Sequence, residues 1–382
     1  MRNIPFGKPI IGDEERQAVF KVLSGTILTH GPLVKDFEAA FAQYTGLEYA
    51  IAVSSCTAAL HLAYFYLGIG AGDEVIVPAQ THAATAHAVE LCGAKAVFVD
   101  AENDTGNIDI DQIETKITGH TKAISVVHYL GMPVDMDRIM DIAKKHQLFV
   151  VEDCALAIGT YLNGEHAGGR GDVGCFSFYP VKHITTAEGG MLTTRNPEIA
   201  RKISMLRAFG IDRNIVSERK IPGMYDVEEL GFNYRMNEIG AAIGLEQMKR
   251  IPGFLKQRKE NYEALSRGLN EIDEVEILRS SHGNYQSSYY CHSMILKESL
   301  APKRYDIMEI LQKSGVGTSI YYPQPVPHLT YYKNKYGFDK NEFPVAKKLS
   351  SQAIALPVGP HLNIEDMEYI VEIIKQAINE VK

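Results

Sequence analysis

Along the first two thirds of the chain, short apolar runs alternate with segments whose apolar residues recur every three or four positions. YAIAVS (Tyr49–Ser54), EVIVPA (Glu74–Ala79), AVFVD (Ala96–Asp100), AISVVHYLG (Ala123–Gly131) and LFVVEDCA (Leu148–Ala155) read as strands. TAALHLAYFYLG from Thr57, a segment from about Ala83, and DMDRIMDIAKKH from Asp135 read as the helices between them. This alternation predicts a mostly parallel central sheet covered by helices on both faces. GCFSFY from Gly174 and GMLTT from Gly190 read as a late strand pair joined by a functional loop. A long helical stretch opens near Asn237, and beyond Asp273 the pattern becomes short strands, a Pro-rich loop YYPQPVPHL, and an amphipathic helix from Glu365. The expected organisation is α/β: a large domain over residues 1–250 and a smaller C-terminal α+β domain over 251–382.

At 382 residues the chain exceeds what one hydrophobic core usually supports, in keeping with two domains. Apolar residues make up 45% and charged residues 23%, as in an ordinary soluble protein, and no apolar run reaches the roughly 18 residues of a membrane span. The opening MRNIPFGKPIIGDEERQ is charged early, so no signal peptide is expected. Five scattered cysteines without a CxxC pair suggest neither a disulfide framework nor a zinc site, and the expected compartment is the reducing cytoplasm. A net charge of −8 with no basic run argues against nucleic acid as a partner, although a local pocket can still take a small anion.

The densest chemistry lies in GCFSFYPVKHITTAEGG, Gly174–Gly190. Lys182 sits there in a glycine-bounded, mostly apolar loop, where an ammonium resists desolvation. It reads either as a Schiff-base lysine, whose amine must be neutral to attack a carbonyl, or as a solvated surface lysine. Asp153 ends the run LFVVED, at the strand edge where open α/β sheets bind ligands. It reads as a partner for a pyridine nitrogen, keeping that ring an electron sink, or as a helix N-cap. SSCTAAL, Ser54–Leu60, places small hydroxyl residues at a helix start, which is either a phosphate site or an ordinary cap. Gly169, Gly171 and Gly174 satisfy G-x-G-x-x-G but precede a strand, so the dinucleotide reading fails its context. His61, His82, His87 and His128 lie on separate elements and show no metal-ligand spacing; no metal site is expected.

These segments, taken in order, resemble the DegT/DnrJ/StrS family of pyridoxal-phosphate-dependent sugar aminotransferases. The resemblance runs from GPLVKDFEAAFAQYTG through SSCTAALHLA, HYLGMPVDM, VEDCALAIG and GDVGCFSFYPVKHITTAEGG to ELGFNYRMNEIGAAIGLEQ and TSIYYPQP. It implies fold type I architecture, with pyridoxal 5′-phosphate carried by Lys182 and its pyridine nitrogen held by Asp153. Thr57, Ala58 and Ser177 would bind the phosphate, and His82 would stack on the ring where the family usually places an aromatic side chain. Asn233 would reach the phosphate of the neighbouring subunit, making the working unit a homodimer with shared sites. Three positions depart from the family's habit: Leu156 stands for a frequent Gln or His, Cys56 for Gly, and Phe209 for His.

The implied reaction moves an amino group from a donor, L-glutamate, to a keto-sugar, a nucleotide-linked 4-keto or 3-keto deoxyhexose used for surface polysaccharide or amino-sugar synthesis. A free or acidic keto-sugar is the alternative acceptor. Related dehydratases resemble the chain but carry His where Lys182 stands, and a non-catalytic cofactor-binding regulator is the reading from another class.

Overall fold

A computed structural model describes residues 2–211 and 224–382. The expected strands all form, with ends shifted by up to four residues: β1 (Tyr49–Val53), β2 (Glu74–Pro78), β3 (Lys95–Val99), β4 (Thr121–Val127) and β5 (Phe149–Asp153). After the short β6 (Tyr161–Leu162) and β7 (Glu165–His166) come β8 (Val173–Ser177) and β9 (Gly190–Thr194), the late pair. The seven-stranded sheet runs β1-β9-β8-β5-β4-β2-β3. From β3 to β8 all neighbours are parallel; β9 is antiparallel to both β8 and β1. Val75, Ile76, Val77, Ile124, Val126, Val150 and Val151 are fully buried, as expected for strands covered on both faces.

Register brings distant segments to one sheet edge. Ser177 pairs with Gly190, and Gly190 pairs with Val53. Asp153 pairs with Val127 on one side and Cys175 on the other. The ends of β1, β4, β5 and β8 and the start of β9 therefore share one edge, along which α3 (Cys56–Tyr66) begins directly after β1.

The residue before Asp153 faces the other side of the sheet, as strand alternation requires. Glu152 is wholly buried and accepts from His128 Nε2 at 2.9 Å. It also accepts from the backbone N–H groups of Gly168, Arg170 and Gly171 at 2.8, 2.9 and 2.6 Å. His128 Nδ1 accepts from Val134 N–H, so the imidazole proton sits on Nε2. The glycine run thus wraps a carboxylate. Its tightness is steric: a Cβ on Gly174 would lie 2.3 Å from Gly168 Cα.

The helix Glu238–Leu269 is capped by Asn237, whose side chain accepts from Gly240 N–H at 2.8 Å. Its first half packs on the large sheet's helices, with Gly244 pressed on Phe37. Its second half packs against helix Ile364–Val381 and the antiparallel sheet of β10 (Val275–Ile277), β12 (His292–Leu296) and β13 (Ala353–Leu356). Between β10 and β12, β11 (Tyr285–Gln286) pairs with β6. The division expected near residue 250 falls inside this helix. The chain's start also crosses it: Ile4 is buried in the C-terminal core and bonds to Gly315 and Gly317 at 2.8 Å. Among the described residues, no helix is long and apolar enough to cross a membrane.

Burial alone would raise the Glu152 carboxyl, but the hydrogen bonds from His128 and from the Gly171 and Gly168 amides outweigh it and hold it below the usual carboxylate range. A depressed folded value stabilises the fold above the unfolded value, and that stability is lost as pH falls through the depressed one. Glu152→Gln should cost about 3–5 kcal/mol near neutral pH, by urea unfolding. The gap to wild type should narrow progressively in acid; a gap independent of pH would show that the charge of Glu152 is not what stabilises.

Candidate functional site

Asp153 closes β5 and is 5% exposed. Its Oδ1 accepts from Ala155 N–H at 3.0 Å, with the Cys56 thiol at 3.9 Å, and its Oδ2 accepts from Thr85 Oγ1 at 2.8 Å. Thr85 belongs to α4 (Ala83–Leu91), the helix after β2. Beside Asp153, the start of α3 is capped by Ser55, whose Oγ accepts from Ala58 N–H at 3.1 Å. The expected phosphate residues Thr57 and Ala58 are thus differently placed. Ala58 N–H is already engaged, while the N–H groups of Cys56 and Thr57 have no acceptor among the described residues. Ser177 lies across this turn at the end of β8, its Oγ holding only a long contact of 3.4 Å from Tyr179 N–H. Gly190 backs the turn so closely that a Cβ there would sit 2.4 Å from the Ser55 carbonyl carbon.

The loop between β8 and β9 is tied internally. Phe178 N–H donates to Gly189 O at 2.9 Å, Thr186 N–H to Phe178 O at 3.0 Å, and Lys182 N–H to Tyr179 O at 2.9 Å. These bonds fix Lys182, whose ammonium lies 5.3 Å from the Tyr290 ring centre. The residue retains some exposed surface, yet its ammonium is enclosed enough that burial lowers its pKa, with Cys56, Asp153 and Cys291 pulling the other way. Lowering raises the fraction of neutral, nucleophilic amine at a given pH. The adjacent His183 turns away: it is buried and its Nε2 bonds Ser288 O at 3.1 Å.

His82 caps α4, its Nδ1 accepting from Ala84 N–H at 3.1 Å, and its ring meets Tyr322 edge-on at 5.7 Å. His82 keeps exposed surface, yet partial enclosure of its ring and the charge of Lys182 lower its pKa, which favours the acceptor role of Nδ1 at that cap. Asn233 is apart from this group. It is exposed, bridges to Ala208, and accepts from Arg235 Nε at 3.0 Å. Leu156 is buried, and its carbonyl takes the Ser288 hydroxyl at 2.7 Å. Phe209 is exposed beneath the Arg235 guanidinium, 4.9 Å away. Sequence reading passed over Thr85, Cys291 and Tyr290. For Thr85 a weak signal existed: it lies in the first turn of the helix that follows β2, beside the strand ends where open α/β sheets bind ligands.

The C-terminal part supplies a second wall. Gln80 Nε2 donates to Tyr129 OH at 3.1 Å and to Tyr321 O at 2.9 Å, while the Tyr290 and Tyr321 hydroxyls meet at 2.8 Å.

The sequence pattern of the DegT/DnrJ/EryC1/StrS aminotransferase family matches residues 9–375. The chain is 35% identical to GDP-perosamine synthase of Escherichia coli O157:H7 over 378 residues, covering 98% of this chain and 99% of that one. It is likewise 35% identical to the spore coat polysaccharide biosynthesis protein SpsC of Bacillus subtilis over 379 residues, covering 98% and 97%. Its structure matches the putative sugar aminotransferase Spr1654 of Streptococcus pneumoniae, solved in PMP and PLP forms. The PMP form gives a TM-score of 0.94 at 31% identity, with both chains fully covered. The residues fit the group named in those structures: unpartnered amides for a phosphate, a buried carboxylate for a ring nitrogen, and an enclosed lysine amine. Gly190→Ala should push the Ser55–Cys56 turn outward and weaken pyridoxal phosphate binding about 10-fold or more, measured by absorbance titration of the apoprotein. Unchanged affinity would mean the turn's position does not govern the phosphate.

Proposed function

Because the chain belongs to the DegT/DnrJ/EryC1/StrS aminotransferase family and is a pyridoxal-phosphate-dependent sugar aminotransferase, we propose that it transfers the amino group of L-glutamate to a nucleotide-linked 4-keto or 3-keto deoxyhexose. The observation that carries the reading is the enclosed Lys182 amine set beside buried Asp153 and the open amides of the α3 turn. GDP-perosamine synthase and SpsC, by their names, belong to sugar-nucleotide and polysaccharide synthesis, which supports this class of acceptor. The cofactor, when bound, supplies an electron sink for charge developing on the carbon next to the transferred nitrogen.

In this proposal Lys182 would hold the cofactor covalently, and its amine, when free, would carry a proton to and from the reacting carbons of donor and acceptor. Asp153 holds the pyridine nitrogen protonated. Cys56 and Thr57 N–H, with the Thr57 and Ser177 hydroxyls, hold the phosphate at the positive end of α3, and Ala58 keeps the turn closed through Ser55. His82 would stack on the ring from its cap position. Asn233 serves the neighbouring subunit of a cytoplasmic homodimer, in keeping with its exposure. The division into a cofactor-binding domain of residues 1–250 and a C-terminal domain of 251–382 belongs to the same proposal, with the long helix shared between them. Transamination is favoured over dehydration because lysine stands at 182, where the related dehydratases carry His, and the neighbouring His183 is bonded away to Ser288 O.

Borohydride reduction of the holoenzyme followed by peptide mapping should place the label on Lys182; label on another lysine would overturn the assignment. Glutamate added without a sugar should release about one equivalent of 2-oxoglutarate per site, because the two halves of the exchange are separate. A keto-sugar should then take up nitrogen from labelled glutamate, whereas a deoxy product free of label would favour dehydration. Lys182→Ala and Asn233→Ala chains should each be impaired alone and partly restore activity when co-expressed. An activity equal to the weighted average would keep Asn233 within its own subunit.

A further inference from the structure

We propose that Thr85 is a positioning residue for the cofactor ring: it fixes the plane of the Asp153 carboxylate through a hydroxyl chain that begins at Thr81. The proposal rests on Asp153 holding the ring nitrogen. Thr85 is completely buried, and its Oγ1 donates to Asp153 Oδ2 at 2.8 Å. A threonine hydroxyl has one proton, so the second contact of Thr85 Oγ1, at 2.7 Å to Thr81 Oγ1, must receive its proton from Thr81. The chain therefore runs in one direction, from Thr81 to Thr85 to Asp153. Thr81 is 2% exposed, which shields both links from water.

The two carboxylate oxygens are held differently. Oδ1 has Ala155 N–H at 3.0 Å and the distant Cys56 thiol, whereas Oδ2 has Thr85 as its one partner among the described residues. The terminal torsion of aspartate is soft, so one bonded oxygen leaves the carboxylate free to turn about it. The second bond sets the plane and thus the direction in which a ring nitrogen must approach. Because α4 starts immediately after β2, Thr81 and Thr85 are delivered by the same sheet edge that delivers Asp153. Preorganising an acceptor in this way lowers the cost of ordering it when the ligand arrives.

The test is affinity of the apoprotein for pyridoxal phosphate, read by absorbance titration, with apoprotein melting temperature as the check on folding. Thr85→Val keeps volume and removes the donor; it should weaken binding about 10-fold while melting stays within about 4–5 °C of wild type. Thr85→Ser, which keeps the donor, should stay within about 3-fold, and Thr81→Val should weaken binding less than Thr85→Val but in the same direction. In an Asp153→Asn background, Thr85→Val should add nothing, since its effect passes through the carboxylate. Wild-type affinity in Thr85→Val, or an undiminished loss on top of Asp153→Asn, overturns the proposal while leaving the role of Asp153 intact. Should Thr85→Val not fold, unchanged binding in Thr81→Val overturns it. Wild-type affinity and absorbance in Asp153→Asn would instead refute the assignment of Asp153 itself, and this proposal with it.

Discussion

The site depends on the lateral pairing of strand ends. Gly190 pairs with Ser177 on one side and Val53 on the other, and Asp153 lies one strand beyond β8. That register, carried by backbone pairing, aligns segments as far apart in the chain as Val53 and Gly190. It also carries a steric condition, because the pairing presses Gly190 into the backbone of Ser55 and Cys56. A side chain there must move the turn, and moving the turn moves the open amides of α3. The antiparallel insertion of β9 between β8 and β1 is what folds the Lys182 loop back over the same edge.

Two adjacent carboxylates show how strand alternation divides labour. Glu152 faces the interior and is saturated by His128 and three backbone amides, a fully paired charge that organises the glycine run behind the sheet. Asp153 faces the ligand edge with fewer and weaker partners. The first is held for stability and the second has acceptor capacity left. One residue of slip in β5 would exchange them, placing the saturated environment where the site needs an open acceptor.

Much of this was legible in the sequence because it follows from local pattern. Apolar runs gave the strands, Asn237 gave the start of the long helix, and LFVVED put Asp153 at a strand end. Residue pattern singled out Lys182 and the turn before α3 but left each with two readings, and the resemblance chose between them. What escaped depends on side-chain direction after packing. Whether Ala58 N–H is free turns on the rotamer of Ser55. That Gly168–Gly171 serves Glu152 requires knowing that the run crosses behind β5. Ile4 joins the C-terminal core through a bridge to Val316, a pairing across more than 300 residues that no local pattern announces.

The C-terminal part does more than cover the site. Tyr321 and Tyr290 share a hydroxyl contact, Tyr321 O is held by Gln80, and Gln80 also takes the Ser350 hydroxyl at 3.2 Å. Gln80 lies between β2 and Thr81, so one short segment anchors the tyrosine wall and begins the hydroxyl chain to Asp153. Burial raises the pKa of Tyr290, Tyr321 and Tyr322 well above that of a free phenol, so all three act as neutral hydrogen-bonding groups. The charged groups beside this wall are Lys182, Asp153 and the buried Arg258 guanidinium, which donates to Tyr290 O at 2.7 Å. A wall of neutral phenols beside these charges offers hydrogen bonds without adding charge to the enclosure.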